Sequence, residues 1–267
     1  MKNIWLISGI TMKEGFRNRI LHGIFFFVFA LFILDCILVN LFTRDLGKVA
    51  VDIGLSTMSI SGLVIIFFMG MNLLSKDIDK LTIYSILSRS VSRWQYIVGK
   101  YMGLSLLVFI SVAVIAVLTA VFVKIIIHAY PGYVPPLFSW VQYFIAVCLA
   151  FLSLLIVTAI SILFTCLTSS PFMALLLTFS TYLIGQNIDL LSKVIDQSAT
   201  EVNSLFIVIK PITWLIPDLS LFDYKTIAAY GLALNVQDII FTVFYGATYI
   251  MLVLFASVLI FNRRELT

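Results

Sequence analysis

Charged side chains are missing from four long stretches of this 267-residue chain. Residues 53–75, 101–123 and 239–262 contain no Asp, Glu, Lys or Arg. Neither does the stretch from Ala129 to Ile188, which is long enough for two passes and a turn. A bilayer core of ~30 Å needs ~20 apolar residues per helix, so runs of this length read as membrane spans. Their continuity favours helices over barrel strands, in which apolar and polar residues alternate. The chain as a whole is 62% apolar and 11% charged, against about 45–50% and about 25% in soluble domains. A soluble protein of this size would need a charged shell that so few ionic side chains cannot supply.

The expected architecture is all-α and integral to the membrane, a single transmembrane domain over 1–267. Six spans are placed near 20–42, 53–75, 98–123, 140–167, 171–188 and 238–261. Pro131, Pro135 and Pro136 separate the third from the fourth, because proline cannot continue a helix. Thr168-Ser169-Ser170-Pro171 separates the fourth from the fifth, with a proline suited to the first turn of a new helix. Residues 1–19 mix apolar and basic side chains; Trp5, Met12 and Phe16 share one helical stripe, with Lys13 and Arg17 on its flank. This reads as an interfacial helix on the cytoplasmic leaflet, the alternative being a plain basic flank that sets topology. The hydrophobic stretch that follows is too long for the core of a cleavable signal peptide. The segment 189–237 is too polar for an ordinary span. Lys210-Pro211 and Pro217-Asp218 divide its apolar part into pieces suited to short helices before the last span.

Orientation follows from Lys and Arg, which accumulate on the cytoplasmic side. Eleven of the 17 fall on one side, at Lys2, Lys13, Arg17, Arg19, Lys76, Lys80, Arg89, Arg93, Lys100, Arg263 and Arg264. Both termini and the 76–97 loop are therefore expected in the cytoplasm, with 189–237 outside the cell or inner membrane. Trp5, Trp94, Trp140 and Trp214 fall at expected membrane borders, where amphipathic rings favour the headgroup layer. The net charge of +4 comes without a basic, aromatic-rich polar stretch, so nucleic acid is not an expected partner. Cys36, Cys148 and Cys166 lie in apolar runs without CxxC spacing and read as small hydrophobes. Two histidines, His22 and His128, exclude a His-rich metal site.

The loop from Lys76 to Lys100 is the most informative segment. Asp77 or Asp79 can cap a short helix, along which Ile78, Leu81, Tyr84 and Leu87 form an apolar ridge. A turn between two spans needs no such ridge. Exposed to the cytosol it would be unfavourable unless it met the membrane or entered a partner's groove. Arg89 and Arg93 flank its far end, suited to headgroups or partner carboxylates.

Asp77, Asp79, Thr82, Leu87, Ser88, Ser92, Arg93, Gly99 and Lys100 resemble the loop between the second and third spans of type-2 ABC exporter permeases. Leu81 stands where that pattern has glycine, and Ser90 where it has proline. The resemblance extends to the chain's plan: N-terminal amphipathic helix, six spans, a long outer segment before the last one, and the basic tail Asn262-Arg263-Arg264-Glu265. It is closest in flavour to the single-domain permease related to nitrous-oxide-reductase maturation. It implies that the loop holds a coupling helix, with Ile78, Leu81, Tyr84, Leu87, Arg89 and Arg93 docking on a separate ATPase. Two ATPase copies would bind ATP and Mg, and this chain would pair with a second copy or a paralogue. Short helices in 189–237 would cap the path, and an accessory protein is left open.

The chain has no phosphate cradle of its own and no cofactor is expected in it. Gly99-Lys100 ends like a P-loop, but a P-loop needs glycine five residues earlier and Ser or Thr next. Trp94 and Tyr101 stand there. Asp35 is the one acid well inside an expected span. Such a residue is a functional candidate, read here either as structural pairing or interface exposure, or as part of a substrate path. Ser161, Thr165 and Thr168 share a face of the fourth span, a pattern that suits helix packing or, alternatively, a polar path. Scarce intramembrane charge favours an apolar or amphipathic cargo. The rival readings are a non-transporting scaffold or assembly factor, and an ion-driven secondary transporter, for which Asp35 alone is a poor set of acids.

Overall fold

A computed structural model describes residues 2–41, 46–70, 91–129, 138–168, 170–197 and 216–263. No strand occurs among them. Nine helices follow in order: α1 (Lys2–Arg17), α2 (Arg19–Leu41), α3 (Leu46–Ile65), α4 (Arg93–Ala129), α5 (Trp140–Leu167), α6 (Pro171–Gln186), α7 (Ile188–Gln197), α8 (Lys225–Tyr230) and α9 (Val236–Arg263). A π-helical turn, Ile66–Gly70, extends α3, and a 3₁₀ turn spans Ser220–Phe222. Five of these helices are long and apolar enough to cross a membrane: Leu21–Val39, Leu46–Gly70, Arg93–His128, Trp140–Leu167 and Val236–Arg263.

Five of the six expected spans appear as helices long enough to cross, with shifted limits. α5 has the expected bounds, 140–167. α3 begins at Leu46, so Lys48 and Asp52 are helical. α4 is 37 residues long, about 55 Å at ~1.5 Å per residue, far more than a bilayer core requires. α6 has 16 residues, about 24 Å by the same rise, short of a full crossing by itself. It starts where expected, with Pro171 in its first turn after Thr168, whose hydroxyl donates back to the Phe164 carbonyl at 2.8 Å.

Burial separates the centre from the rim. In the most apolar windows of α3 and α5, 61% and 56% of residues are buried, against 22% in α2 and in α9. α3 therefore sits between α2, α4 and α5. Gly62 makes one of these contacts, since a Cβ there would clash with Leu154 on α5. Small residues of this kind let helices approach where apolar burial gives no driving force between them. The Tyr143 hydroxyl donates to the Ala116 carbonyl at 2.7 Å, and Phe109 meets Phe151 edge-on, so α4 and α5 are antiparallel. α9 runs parallel to α5: Gln142 Nε2 donates to the Leu232 carbonyl just before it at 2.8 Å, and Gly246 lies against Leu152.

Asn18 separates α1 from α2, and its carbonyl accepts from Leu21 N–H at the start of α2. The expected N-terminal helix thus forms, but its axis follows that of α4. Asn3 Nδ2 donates to Gln95 Oε1 at 3.3 Å, 92 positions on. Ile7 meets Gly99, Thr11 meets Gly103 and Gly15 meets Leu107, each again 92 positions apart. Trp5 and Phe16 are exposed as the stripe predicts, whereas Met12 packs against the core. The exposed apolar face of α1 is instead Trp5, Leu6 and Ile10, followed by Lys13 and Arg17.

Candidate functional site

The pattern from Asp77 to Lys100 runs into the start of α4, where Arg93, Gly99 and Lys100 each hold another element. Arg93 Nη1 donates to the carbonyls of Phe261 at 3.1 Å and Asn262 at 2.9 Å. A guanidinium at a helix C-terminus satisfies carbonyls that have no intrahelical partner and opposes the negative end of the helix dipole. One turn on, Tyr96 is fully buried and stacks on Phe261, with centroids 5.9 Å apart and planes 18° apart. Gly99 and Gly103 form the floor on which α1 lies. A Cβ on Gly103 would stand 2.6 Å from Thr11 Cβ and 3.0 Å from the Ser8 carbonyl oxygen; one on Gly99 would be 2.8 Å from Ile7 Cβ.

Lys100 is only 3% exposed. Its ammonium lies 3.6 Å from Glu14 Oε2 and 5.9 Å from the centre of the Tyr96 ring. A buried ammonium is strongly unfavourable without such partners, so Lys100 ties α1 to α4. Sequence reasoning missed Glu14 and the glycine pair. The spacing Gly99-x-x-x-Gly103 is the signal that marks the contact. Of the expected docking residues, Arg93 is the one described. Ile78, Leu81, Tyr84, Leu87 and Arg89 lie outside the described residues.

Asp35 is buried between α2 and α3, where it accepts a hydrogen bond from the Thr57 hydroxyl. Of the two readings, structural pairing has a named partner. Ser161 and Thr165 are also buried. The Ser161 hydroxyl donates to the Thr158 carbonyl at 3.1 Å, and that of Thr165 to the Ser161 carbonyl at 2.7 Å. Ser161 Oγ stands 3.0 Å from where a Cβ of Gly70 would lie. Both hydroxyls satisfy their polarity within α5, and Ser161 presents a small surface to the end of α3, as helix-packing residues do. Cys166 is buried as expected, but Cys148 faces outward from α5.

At the other end of the bundle, the stretch before α8 tucks between α6 and α9. Leu219 N–H donates to the Gly185 carbonyl at 3.0 Å, the Tyr245 hydroxyl accepts from Asp218 N–H at 3.0 Å, and Phe222 is buried against Gly246. Beside it a cleft of mixed lining joins Ser59, Ser153, Gln186, Asp223 and Lys225 with Ala146, Ala150, Leu154 and Phe222, with Lys225 Nζ 3.6 Å from Asp223 Oδ2. The neighbouring Tyr224 phenol has its pKa raised, first by burial and then by the Asp238 carboxylate, and lowered in part by the Thr242 hydroxyl. No group of three or more His, Cys, Asp or Glu that could hold a metal occurs among the described residues.

The fold and these contacts define a multi-pass, all-helical membrane protein. No protein-family model matches the chain, and no curated protein matches it.

Proposed function

We propose that this chain is the membrane-spanning permease subunit of an ATP-binding-cassette exporter, working with a separate ATPase. The reading rests on the stretch from Asp77 to Lys100, whose acid pair, Leu87-Ser88, Ser92-Arg93 and Gly99-Lys100 resemble the coupling loop of such permeases. The contacts at its end support a mechanical role. Arg93 holds the end of α9, and Gly99 with Lys100 holds α1, so a push on the loop would reach three elements together. Movement of helices as bodies is the usual basis of alternating access.

Six passes are part of the proposal. α5 and α9 run in the same direction, so the chain between Leu167 and Val236 has to return across the bundle. α6 makes most of that return, and residues 216–224, whose Leu219 lies beside Gly185, lead on to α8. Both termini then lie on the cytoplasmic side of the cell membrane, α1 borders the inner leaflet through Trp5, Leu6 and Ile10, and α7 and α8 lie outside. A second copy or a paralogue completes the path, and the ATPase pair binds ATP and Mg.

Co-purification tests the reading. Expressed with its genomic neighbours, the tagged chain should bring down a P-loop ATPase and show ATP hydrolysis only with it. Hydrolysis by the isolated chain, or transport by it in liposomes without an ATPase, would overturn the assignment.

A further inference from the structure

The outward stripe of α1 reverses the order expected of a helix that faces lipid. Trp5, Leu6 and Ile10 are exposed along its first half, Lys13, Phe16 and Arg17 along its second, and Arg19 follows just past Asn18. Basic side chains suit a membrane border, where they reach headgroups. The contacts of α1 place these ones deeper than the apolar residues. Arg93, at the start of α4, bonds Phe261 and Asn262, where the charge-free run of α9 ends, and so marks one border.

Lys13 and Arg17 stand two positions either side of Gly15, which meets Leu107 of α4. In this register they lie about twelve and sixteen residues beyond Arg93, roughly 18 and 24 Å at ~1.5 Å per residue. The middle of a ~30 Å core is ~15 Å from its edge. Phe109, level with Arg17, meets Phe151 near the centre of α5. Met251, ten residues before Phe261 on α9, is 72% exposed, so hydrocarbon surrounds the bundle at this height. No ion pair holds Lys13, Arg17 or Arg19 among the described residues, and Glu14 beside them turns to Lys100. A bare cation at such depth is strongly unfavourable, and intramembrane charges face water or a partner. Three cations with no acid to neutralise them call for an anion. Guanidinium groups match the geometry of phosphate and carboxylate.

We propose that Lys13, Arg17 and Arg19 line a hydrated pocket at mid-depth that binds the phosphate or carboxylate group of an anionic ligand, free or carried on a lipid. The site follows from the chain's place in the bilayer and not from an ATPase partner. On the permease reading it is where the anionic group of the cargo rests. Its test needs no ATPase, so the failure of either idea leaves the other standing.

The test uses the full chain with Cys36, Cys148 and Cys166 replaced by alanine, in phosphatidylcholine liposomes with methanethiosulfonates on both faces. Lys13→Cys, and in a second variant Arg17→Cys, should react with both the anionic sulfonatoethyl and the cationic trimethylammonioethyl reagent. Corrected for their rates with free thiol, the anionic one should be about fivefold faster, the bias of one unit charge ~4 Å away in water. Adding Arg17→Gln and Arg19→Gln to Lys13→Cys should remove that bias. Met251→Cys, at the same height but against lipid, should stay unreactive. Pyrophosphate, or phosphatidic acid in the bilayer, should slow the neutral hydroxyethyl reagent at position 13 while sparing Arg263→Cys at the border. Protection by pyrophosphate identifies a free anion, and protection by phosphatidic acid alone a lipid headgroup. Cysteines inert at both 13 and 17, equal rates of the two charged reagents, or protection by neither anion would overturn the proposal.

Discussion

Lys100, buried in the first turns of α4, reaches across to Glu14 of α1, with Nζ 3.6 Å from Oε2. The two ends of this pair differ in their surroundings. The Glu14 side chain is 37% exposed, whereas that of Lys100 is 4% exposed. Removing the carboxylate takes one partner from a buried ammonium, while removing the ammonium leaves a carboxylate that water can reach. Glu14→Gln should therefore destabilise the protein more than Lys100→Met. Because Glu14 is partly solvated, the first is expected to cost ~1–3 kcal/mol, below the full penalty of a broken buried pair. Thermal unfolding of both variants in detergent checks the order; a reversed order would show that the pair is not what holds α1.

Glycines at different places on the α1–α4 pair should respond oppositely. Gly103→Leu forces a side chain into Thr11 and the Ser8 carbonyl and should cost ~1–3 kcal/mol through overpacking. Gly9 is exposed on α1, and a Cβ added there would meet nothing within 4 Å. Gly9→Ala should be neutral or stabilise by up to ~1 kcal/mol through helix propensity. Hydrogen exchange along residues 2–17 reads both: faster in Gly103→Leu, unchanged or slower in Gly9→Ala.

The Asp35–Thr57 bond separates structural pairing from a path role. Thr57→Val removes the donor and leaves a buried carboxyl, which should lower stability by ~1–2 kcal/mol. Asp35→Asn keeps an acceptor for Thr57 and carries no charge, so it should be tolerated in stability. Normal transport by Asp35→Asn confirms pairing; a properly folded variant that has lost transport would put Asp35 on the path.

Coupling makes a sharper demand. Tyr84→Ala with Leu87→Ala should release the ATPase during purification, because truncating a packed interface anchor can cost ~2 kcal/mol or more. Arg89→Ala should weaken binding much less, as exposed ion pairs contribute ~0–1 kcal/mol. Arg93→Ala should act on the fold, loosening the end of α9 by roughly 1 kcal/mol. A double variant that inserts normally, keeps its ATPase and transports would remove the loop from the mechanism.

Orientation can be read directly. A cysteine at Ser85 should resist an impermeant maleimide applied to intact cells, and one at Lys193, exposed on α7, should react. Cys148 faces outward from α5, so the parent for labelling should carry Cys148→Ala. Reaction at position 85 from outside would invert the topology.

The long helices were legible because insertion into a bilayer is a demand on each residue of a run. Trp140–Leu167 matches its expected limits, since Pro136 before it and Thr168-Ser169-Ser170-Pro171 after it leave little freedom. α4 overran its expected limits at both ends because Arg93 and Lys124 looked like flanking charges. Arg93 is instead absorbed into the bundle by the α9 carbonyls. α6 fell short because the backbone turns at Asn187, whose N–H donates to the Ile184 carbonyl at 3.0 Å. Asp35 stood out by its charge alone, but Thr57, 22 residues away on another helix, did not.

Sequence alone determined that this chain is helical and where its apolar segments lie, because apolarity and helix-breaking residues are local properties. The tertiary structure decided which faces meet: α1 along α4 at a constant offset, α3 at the centre, Arg93 on the end of α9, and Arg17 level with the middle of α5. Between apolar helices in an apolar solvent, burial does not select partners. Association depends on close van der Waals fit and a few polar contacts, and those arise between positions as distant as Gly103 and Thr11, or Arg93 and Asn262. Neither partner has a local pattern that names the other.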